Sequence, residues 1–105
     1  MSTVKDFVEN TIRDNKIVIF SKSWCSYSAR SKAYFARNLP TETVFIVELD
    51  EREDEGAIQD YLKKKTNLRT VPQTFINGSF VGDDSTLQVK SKGEVQRLIN
   101  DNPRA

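Results

Sequence analysis

Blocks of apolar residues along the chain predict strands and helices in succession. The run 17–20 (IVIF) is continuously apolar, which suits a central strand covered on both faces. The run 43–49 (TVFIVEL) predicts a second buried strand. Segments 74–76 and 79–81 flank Asn77-Gly78, the dipeptide type that most strongly favours a two-residue hairpin turn. The chain is therefore expected to contain four strands, with the last two paired antiparallel.

Helical spacing of apolar residues fills the intervals around these strands. A first helix is expected after a cap at Ser2 or Thr3, and a second should begin at the turn around Cys25 and end before Pro40. A third follows an acidic run, a short one lies beyond the hairpin, and a last one begins at Gly93. The apolar residues expected to face the sheet are Val4, Phe7, Val8 and Ile12, then Ala29, Ala33, Ala36 and Leu39, then Ile58, Tyr61 and Leu62, and finally Val95, Leu98 and Ile99.

The order of these elements predicts the fold class. Strand, helix and strand in succession predict a parallel pair joined by a right-handed crossover. The hairpin adds an antiparallel pair, and the helices should cover both faces of the sheet. The expected fold is therefore α/β, with a four-stranded mixed sheet, and the chain length fits one domain over residues 1–105. The pattern leaves the strand order within the sheet open.

Composition restricts the classes of function. The chain has 16 basic and 15 acidic residues, a net charge of +1, and no basic stripe of the kind that binds nucleic acid. No apolar run approaches the ~20 residues of a membrane span, and the start, MSTVKDFVEN, has no apolar signal core. Without histidine, a His-based triad or zinc site is excluded. We therefore expect neither nucleic acid nor membrane as a partner, and a cytoplasmic location, whose reducing conditions suit one unpaired cysteine.

The single cysteine, Cys25, stands where an apolar strand hands over to a helix. Unpaired N–H groups and the dipole at a helix start favour an anion, which for cysteine is the nucleophilic thiolate. Lys22, three residues earlier, adds positive charge. A lone cysteine is more often a small buried hydrophobe, but Ser23, Ser26 and Ser28 are poor neighbours for a core position. The residues therefore favour a thiol centre whose pKa lies below that of a free thiol.

Two motifs carry a resemblance to a known family. The segment 24–28, Trp-Cys-Ser-Tyr-Ser, preceded by Lys22, resembles the active-site loop of glutaredoxins. That loop is usually Cys-Pro-Tyr-Cys, with Cys-Ser-Tyr-Cys and Cys-Ser-Tyr-Ser as variants. The second motif is Thr70-Val71-Pro72 followed by 75–78 (FING), and the similarity extends over residues 4–99. The resemblance implies a thioredoxin-like fold and a glutathione-dependent thiol–disulfide oxidoreductase.

Ser28 is the main departure from the dithiol members of this family. Their second cysteine stands at this position, and a serine hydroxyl forms no disulfide, although it can hydrogen-bond the Cys25 thiolate. The resemblance therefore implies a monothiol cycle with Cys25 as the catalytic residue. Cys25 takes the glutathionyl group from a protein–glutathione mixed disulfide, and a further glutathione then releases it as oxidised glutathione. Glutathione and glutathionylated proteins are the implied partners, and the chain is expected to be a monomer.

The resemblance also implies how glutathione is held. Lys22, Gln59 and Arg69 are expected to gather around its glycyl carboxylate, with charge-assisted hydrogen bonds from the two cations. From the residues alone, Gln59 is interpreted as an exposed helix residue. Tyr27 is implied to line the glutathione groove, while on its own it fits any aromatic residue in a loop wall.

The segment Thr70-Val71-Pro72 is implied to present backbone groups to the cysteinyl part of glutathione. An X–Pro bond is where a cis peptide costs little, and a cis bond would turn the N–H and C=O of Val71 outward, like an added strand. The plain alternative is a trans proline that opens a strand. Ser85 is expected to meet the γ-glutamyl carboxylate. Thr86 stands where relatives have an Asp that binds the γ-glutamyl amine, so only the carboxylates at 83–84 are left to replace it. Glutathione binding is therefore expected to be weaker than is usual in the family.

Three alternatives stay open. Some relatives hold a [2Fe–2S] cluster between two chains, with two glutathiones completing the sulfur ligands, so Cys25 is a candidate metal ligand in a homodimer. Ser26, in place of the usual proline, resembles the variants that do this. The chain could also be a binding module without turnover, or Ser28 could be a substitution made to trap a mixed disulfide.

Overall fold

A four-stranded mixed sheet forms the centre of the fold in the computed structural model, which describes residues 3–101. Its strands are β1 (Ile17–Ser21), β2 (Phe45–Glu48), β3 (Gln73–Ile76) and β4 (Ser79–Gly82), in the spatial order β2-β1-β3-β4. The helices in this part of the chain are α1 (Val4–Asp14), α2 (Ser26–Asn38), α3 (Glu55–Thr66), α4 (Asp84–Gln88) and α5 (Lys92–Asn100). A 3₁₀ turn, Leu49–Glu51, follows β2. The predicted α/β class and mixed sheet are confirmed.

β1 is a central strand, as its continuous apolar run predicts. All of its residues are buried. It pairs in parallel with β2, where Val18 lies opposite Phe45, and antiparallel with β3, where Val18 lies opposite Phe75. The parallel pairing predicted from the order strand, helix, strand is therefore confirmed.

The turn between β3 and β4 is the predicted hairpin. Asn77 and Gly78 adopt φ values of 50° and 84°, the left-handed region that such a turn needs. The Asn77 amide also donates to the carbonyls of Leu98, Ile99 and Asp101. These bonds tie the hairpin to the end of α5.

Two apolar layers cover the sheet, one on each face. Alternate residues of a strand point to opposite faces, so Val18 and Phe20 face α1 and α3, while Ile17 and Ile19 face α2, α4 and α5. The first layer contains Val8, Ile12, Val18, Phe20, Val47, Leu49, Ile58, Leu62 and Phe75. The second contains Ile17, Ile19, Tyr34, Phe35, Leu39, Ile76, Leu87, Val95 and Ile99. Helices on both faces of the sheet are thus confirmed.

The prediction of a second buried strand over 43–49 is wrong in two respects. β2 is shorter than the apolar run, and it forms an edge of the sheet. Phe45 and Ile46 are 43% and 39% exposed, while Val47 is buried. An apolar run does not distinguish a central strand from an edge strand, because that depends on how the strands are ordered.

The face that α2 turns toward the sheet also differs from the prediction. Ala29, Ala33 and Ala36 are exposed, whereas Tyr34 and Phe35 are buried. Two aromatic rings remove far more apolar area from water than three methyl groups, and this difference sets the rotation of the helix. The buried residues of this face are Ser28, Ser31, Tyr34, Phe35 and Leu39.

The described helices are short, and α1 begins at a predicted cap. The Thr3 hydroxyl accepts from the N–H of Asp6 at 3.0 Å, and the Asp6 carboxylate accepts from the N–H of Thr3, which completes a capping box. Ser2, the other candidate cap, lies outside the described residues.

Within residues 3–101, no helix combines the length and the apolar character that crossing a bilayer requires.

Candidate active site

Cys25 lies at the surface, where β1 hands over to α2. It is the N-cap residue of α2, and the turn before it is closed by a hydrogen bond of 3.0 Å from the Cys25 N–H to the Lys22 carbonyl. Its side chain is partly exposed. The predicted position at a helix start is confirmed, and the interpretation as a buried hydrophobe is wrong.

The turn before Cys25 is anchored to the end of the neighbouring strand. Ser23 donates to the carboxylate of Asp50 from its N–H, at 2.8 Å, and from its hydroxyl. These bonds, above all the one from the hydroxyl, hold the pKa of the Asp50 carboxylate below its ordinary value. β1 and β2 are parallel, so their carboxyl ends meet at one edge of the sheet. The position of Asp50 directly after the apolar run 43–49 was therefore a signal for this contact that the sequence analysis did not use.

The surroundings of Cys25 stabilise its thiolate. Partial burial raises the pKa of the thiol and is the largest single contribution. It is outweighed by hydrogen bonds from the N–H and hydroxyl of Ser28 and from the N–H of Tyr27, together with the charge of Lys22. The pKa of Cys25 therefore lies below that of an ordinary cysteine, as predicted, and the nucleophilic form of the sulfur is favoured.

Ser28 lies in the first turn of α2 and is fully buried. Its hydroxyl accepts from the N–H of Lys22 at 3.3 Å and hydrogen-bonds the sulfur of Cys25, as predicted. One small side chain thus connects Lys22 and Cys25, the two ends of the turn formed by residues 22–25 (the catalytic turn). Because Cys25 is the only cysteine of the chain, this position cannot close a disulfide.

A groove with a volume of about 310 Å³ begins at Tyr27, two residues beyond the sulfur. The peptide bond between Val71 and Pro72 is cis, which confirms that expectation over the trans alternative. The N–H and C=O of Val71 have no backbone partner among residues 3–101, so they remain available to a ligand. The residues that line the groove are Tyr27, Thr70, Val71, Pro72, Asp83, Asp84 and Ser85. The structure thus brings together five of the predicted site residues, which are Tyr27, Thr70, Val71, Pro72 and Ser85.

Two buried glutamines hold the backbone that leads into this groove. Gln59 Nε2 donates to the Arg69 carbonyl at 3.0 Å, and Gln73 Nε2 donates to the carbonyls of Leu68 and Thr70 at 2.6 and 3.0 Å. Gln59 is 7% exposed, so its interpretation as an exposed helix residue is wrong. Its contact with a ligand stays a prediction. Gln73 was overlooked, although a polar residue at the head of a buried strand was a usable signal.

The two cations assigned to the glycyl carboxylate lie near the start of α3, outside the groove lining. The Lys22 ammonium is 3.4 Å from the Glu55 carboxylate, and Arg69 Nε donates to Asp60 at 2.9 Å. Arg69 Nη2 also lies 3.9 Å from the point that a Cβ on Gly56 would occupy. Both cations are therefore already paired with acidic side chains of α3, contacts that the sequence analysis did not identify.

The acidic residues at the start of α4 are also engaged. Asp83 accepts from the N–H of Thr86 at 3.0 Å and thereby caps the helix. Asp84 is 3% exposed, accepts from the Ser31 hydroxyl at 2.9 Å and pairs with Arg30 Nε at 3.3 Å. Thr86 is exposed and lies outside the groove lining. A contact between the γ-glutamyl amine and any of these residues stays a prediction.

Comparison with known proteins identifies the family. The family model described as Glutaredoxin matches residues 17–81, a stretch that holds β1, the catalytic turn and the cis proline. The chain belongs to the glutaredoxin family. This glutaredoxin is 48% identical over 94 residues to monothiol glutaredoxin-S6 of Oryza sativa subsp. japonica, which covers 89% of this chain and 70% of that protein. It is 47% identical over 95 residues to glutaredoxin-C4 of Arabidopsis thaliana, covering 90% of this chain and 69% of that protein.

Solved structures of glutaredoxins share the fold. The holo form of glutaredoxin C1 from Populus tremula x tremuloides has a TM-score of 0.86 and 29% identity, covering 95% of this chain and 98% of that chain. A buckwheat glutaredoxin–glutathione complex has a TM-score of 0.80 and 30% identity, covering 91% of this chain and 84% of that chain. The thioredoxin-like fold is confirmed. Since glutaredoxins are glutathione-dependent oxidoreductases, that general activity is established for this chain.

Proposed function

We propose that this glutaredoxin reduces protein–glutathione mixed disulfides through Cys25 alone. The observation that carries the proposal is the pairing of the only thiol of the chain with Ser28. The hydroxyl of Ser28 hydrogen-bonds the sulfur from the position where dithiol members have a second thiol. Because the chain has no other cysteine, an external thiol must resolve any disulfide formed on Cys25.

The proposed cycle has two exchange steps. The Cys25 thiolate attacks the glutathionyl sulfur of the mixed disulfide, so a Cys25–glutathione disulfide forms and the protein substrate leaves as a thiolate that takes a proton from water. The thiolate of a free glutathione then attacks the same glutathionyl sulfur, which frees Cys25 and forms oxidised glutathione. The net reaction consumes one glutathione for each protein thiol released, and no other oxidant or reductant is needed.

The groove supports this assignment because it offers polar backbone and side-chain groups to an extended peptide and begins two residues beyond Cys25. The N–H and C=O of Val71, which have no backbone partner within the described part of the chain, can pair with a ligand backbone as an added strand would. Tyr27 supplies an aromatic ring to the lining, and Ser85 supplies a residue with a hydroxyl group. Within this proposal the protein acts as a monomer in the cytoplasm, where a free thiolate is kept reduced.

Mass spectrometry and kinetics test the proposal together. Mixing the reduced protein with a glutathionylated peptide should add the mass of one glutathionyl group to the protein and release an equal amount of peptide thiol. Cys25→Ser should do neither. Double-reciprocal plots of rate against peptide concentration, recorded at several glutathione concentrations, should be parallel, because Cys25 carries the glutathionyl group between two half-reactions. Turnover by Cys25→Ser would refute the mechanism, and an adduct that glutathione cannot remove would indicate a binding module without turnover.

Cluster binding is a second candidate function, because Cys25 is partly exposed and Ser26 beside it is exposed. A [2Fe–2S] cluster supplies electron storage when bound and takes four sulfur ligands. Within residues 3–101, no group of three or more His, Cys, Asp or Glu side chains is placed to hold a metal ion. Cys25 of two chains and two glutathiones would therefore have to supply the ligands. Visible absorption and a doubled mass after anaerobic purification test this function, and a colourless monomer would rule it out.

A further inference from the structure

The ammonium of Lys22 faces a carboxylate that belongs to the protein itself. Lys22 Nζ lies 3.4 Å from Glu55 Oε2, and the two side chains are only 18% and 35% exposed. The same ammonium lies 5.6 Å from the centre of the Trp24 ring, so it is confined beside the catalytic turn. It also contributes to the low pKa of Cys25. The charge of Lys22 therefore favours the thiolate of Cys25 and is at the same time partly offset by Glu55.

Glu55 is held where it can exert this effect. It is the first residue of α3, and an acidic side chain in the first turn is favoured by the unpaired N–H groups there. Lys22 lies in the turn that ends β1, so the pair connects the catalytic turn with the start of α3. The pair of Asp60 with Arg69 is more exposed, at 68% and 49%, and solvent screens it more strongly. The pair of Lys22 with Glu55 is therefore the less screened of the two ion pairs.

We propose that Glu55 competes with the carboxylate of glutathione for Lys22 and thereby sets the affinity of the site. The inference rests on the proposed function and on the expectation, from the glutaredoxin resemblance, that Lys22 binds the glycyl carboxylate. A ligand carboxylate that approaches the ammonium must either displace Glu55 or lie beside its negative charge, because a lysine ammonium has three N–H donors. In both cases the charge of Glu55 offsets part of the attraction between Lys22 and the ligand. Removing Glu55 should strengthen ligand binding, whereas removal of most groups in a binding site weakens it.

The test compares Glu55→Gln with Glu53→Gln. Both substitutions remove one negative charge, but Glu53 is exposed and lines a surface pocket with Arg52 and Asp54. A partly exposed ion pair contributes about 0.2–1 kcal/mol, so Glu55→Gln should lower the KM for a glutathionylated peptide up to about fivefold with little change in kcat. It should also lower the pKa of the Cys25 thiol, because the charge of Lys22 is no longer offset. Glu53→Gln should leave both quantities close to those of the unaltered protein.

A double-mutant cycle with Lys22→Met separates competition from a structural effect on α3. If Glu55 acts through Lys22, the effect of Glu55→Gln on KM and on the thiol pKa should disappear in the Lys22→Met background. Circular dichroism checks that each variant is folded. An unchanged or raised KM in Glu55→Gln, beside normal turnover of the unaltered protein, overturns the inference and leaves the proposed function intact. An effect that persists without Lys22 also overturns it. Absence of turnover in the unaltered protein overturns both.

Discussion

Replacing Ser28 with alanine isolates the contribution of one hydroxyl to the reactivity of Cys25. The substitution removes the hydroxyl that hydrogen-bonds the sulfur, and it also removes the acceptor of the Lys22 N–H. The backbone N–H groups of Ser28 and Tyr27 remain, because they do not depend on the side chain. We expect the pKa of Cys25 to rise, since the thiolate loses one of its donors while the effect of burial stays.

The size of this effect follows from the strength of a hydrogen bond to a charged group, about 1.5–3 kcal/mol. The lower end applies, because the sulfur is partly exposed and retains two backbone donors. Since about 1.4 kcal/mol corresponds to a factor of ten, the thiolate fraction at a pH below the midpoint should fall about tenfold. Exchange with a small disulfide should slow less, about threefold, because a more basic thiolate is also the better nucleophile.

Ultraviolet titration of the thiolate and exchange with a chromogenic aromatic disulfide measure these two quantities. Ser26→Ala is the matched control, since Ser26 is exposed at the first position of α2, whereas the pKa of Cys25 is lowered by Ser28, Tyr27 and Lys22. An unchanged titration in Ser28→Ala would show that backbone donors alone stabilise the thiolate. An equal rise in Ser26→Ala would show that any loss of polarity has this effect. Either result would refute the role assigned to the Ser28 hydroxyl.

The same ionisation makes stability depend on pH. The pKa of Cys25 is lower in the folded protein than in the unfolded chain, so the thiolate stabilises the fold above the unfolded pKa of about 8.5. This contribution is lost as the pH falls through the folded pKa. The free energy of unfolding of the reduced protein should therefore rise with pH relative to that of Cys25→Ser. Urea denaturation across this window measures the difference, and parallel pH profiles would contradict the depressed pKa.

Three further predictions concern the covalent chemistry and the start of α4. Ser28→Cys should lose both free thiols on mild oxidation, because the side chain at this position already contacts Cys25; thiol titration would detect a failure to close the disulfide. Gly82→Ala should destabilise the fold by about 1–3 kcal/mol, because Gly82 has a φ of 135° and a Cβ there would lie 2.7 Å from Thr86 Cβ. In a Thr86→Gly background, Gly82→Ala should lower the free energy of unfolding by less, because the contact with Thr86 is gone and only the backbone strain remains. Urea denaturation measures the difference. Asp83→Ala should cost about 1 kcal/mol by removing the cap of α4, and an unchanged unfolding midpoint would argue against that cap.

Local patterns in the sequence were enough to locate the thiol and most of the elements around it. The apolar run before Cys25, the caps of the helices and the Asn77-Gly78 turn act over a few residues, so their physics is complete within the segment. The direction of the pKa shift of Cys25 also follows from its position at a helix start. The absence of a second cysteine is a property of composition, and with Ser28 it restricts the mechanism before any fold is known.

The tertiary structure decided what each segment faces. β2 has the composition of a central strand but lies at an edge, and α2 buries Tyr34 and Phe35 where alanines were expected. Such outcomes depend on competition between faces for the same buried area, and no single segment contains that information.

Partners distant in the sequence were likewise decided only by the fold. Ser23 hydrogen-bonds Asp50, which is 27 residues away, and Lys22 pairs with Glu55 at the start of α3. Gln59 is polar and lies on a helix, which predicts exposure, yet it is buried and its amide is satisfied there by the Arg69 carbonyl. A sequence shows which groups can form hydrogen bonds and ion pairs, but packing brings particular pairs together. The residues that adjust this active site, as distinct from the one that reacts, therefore emerged only from the structure.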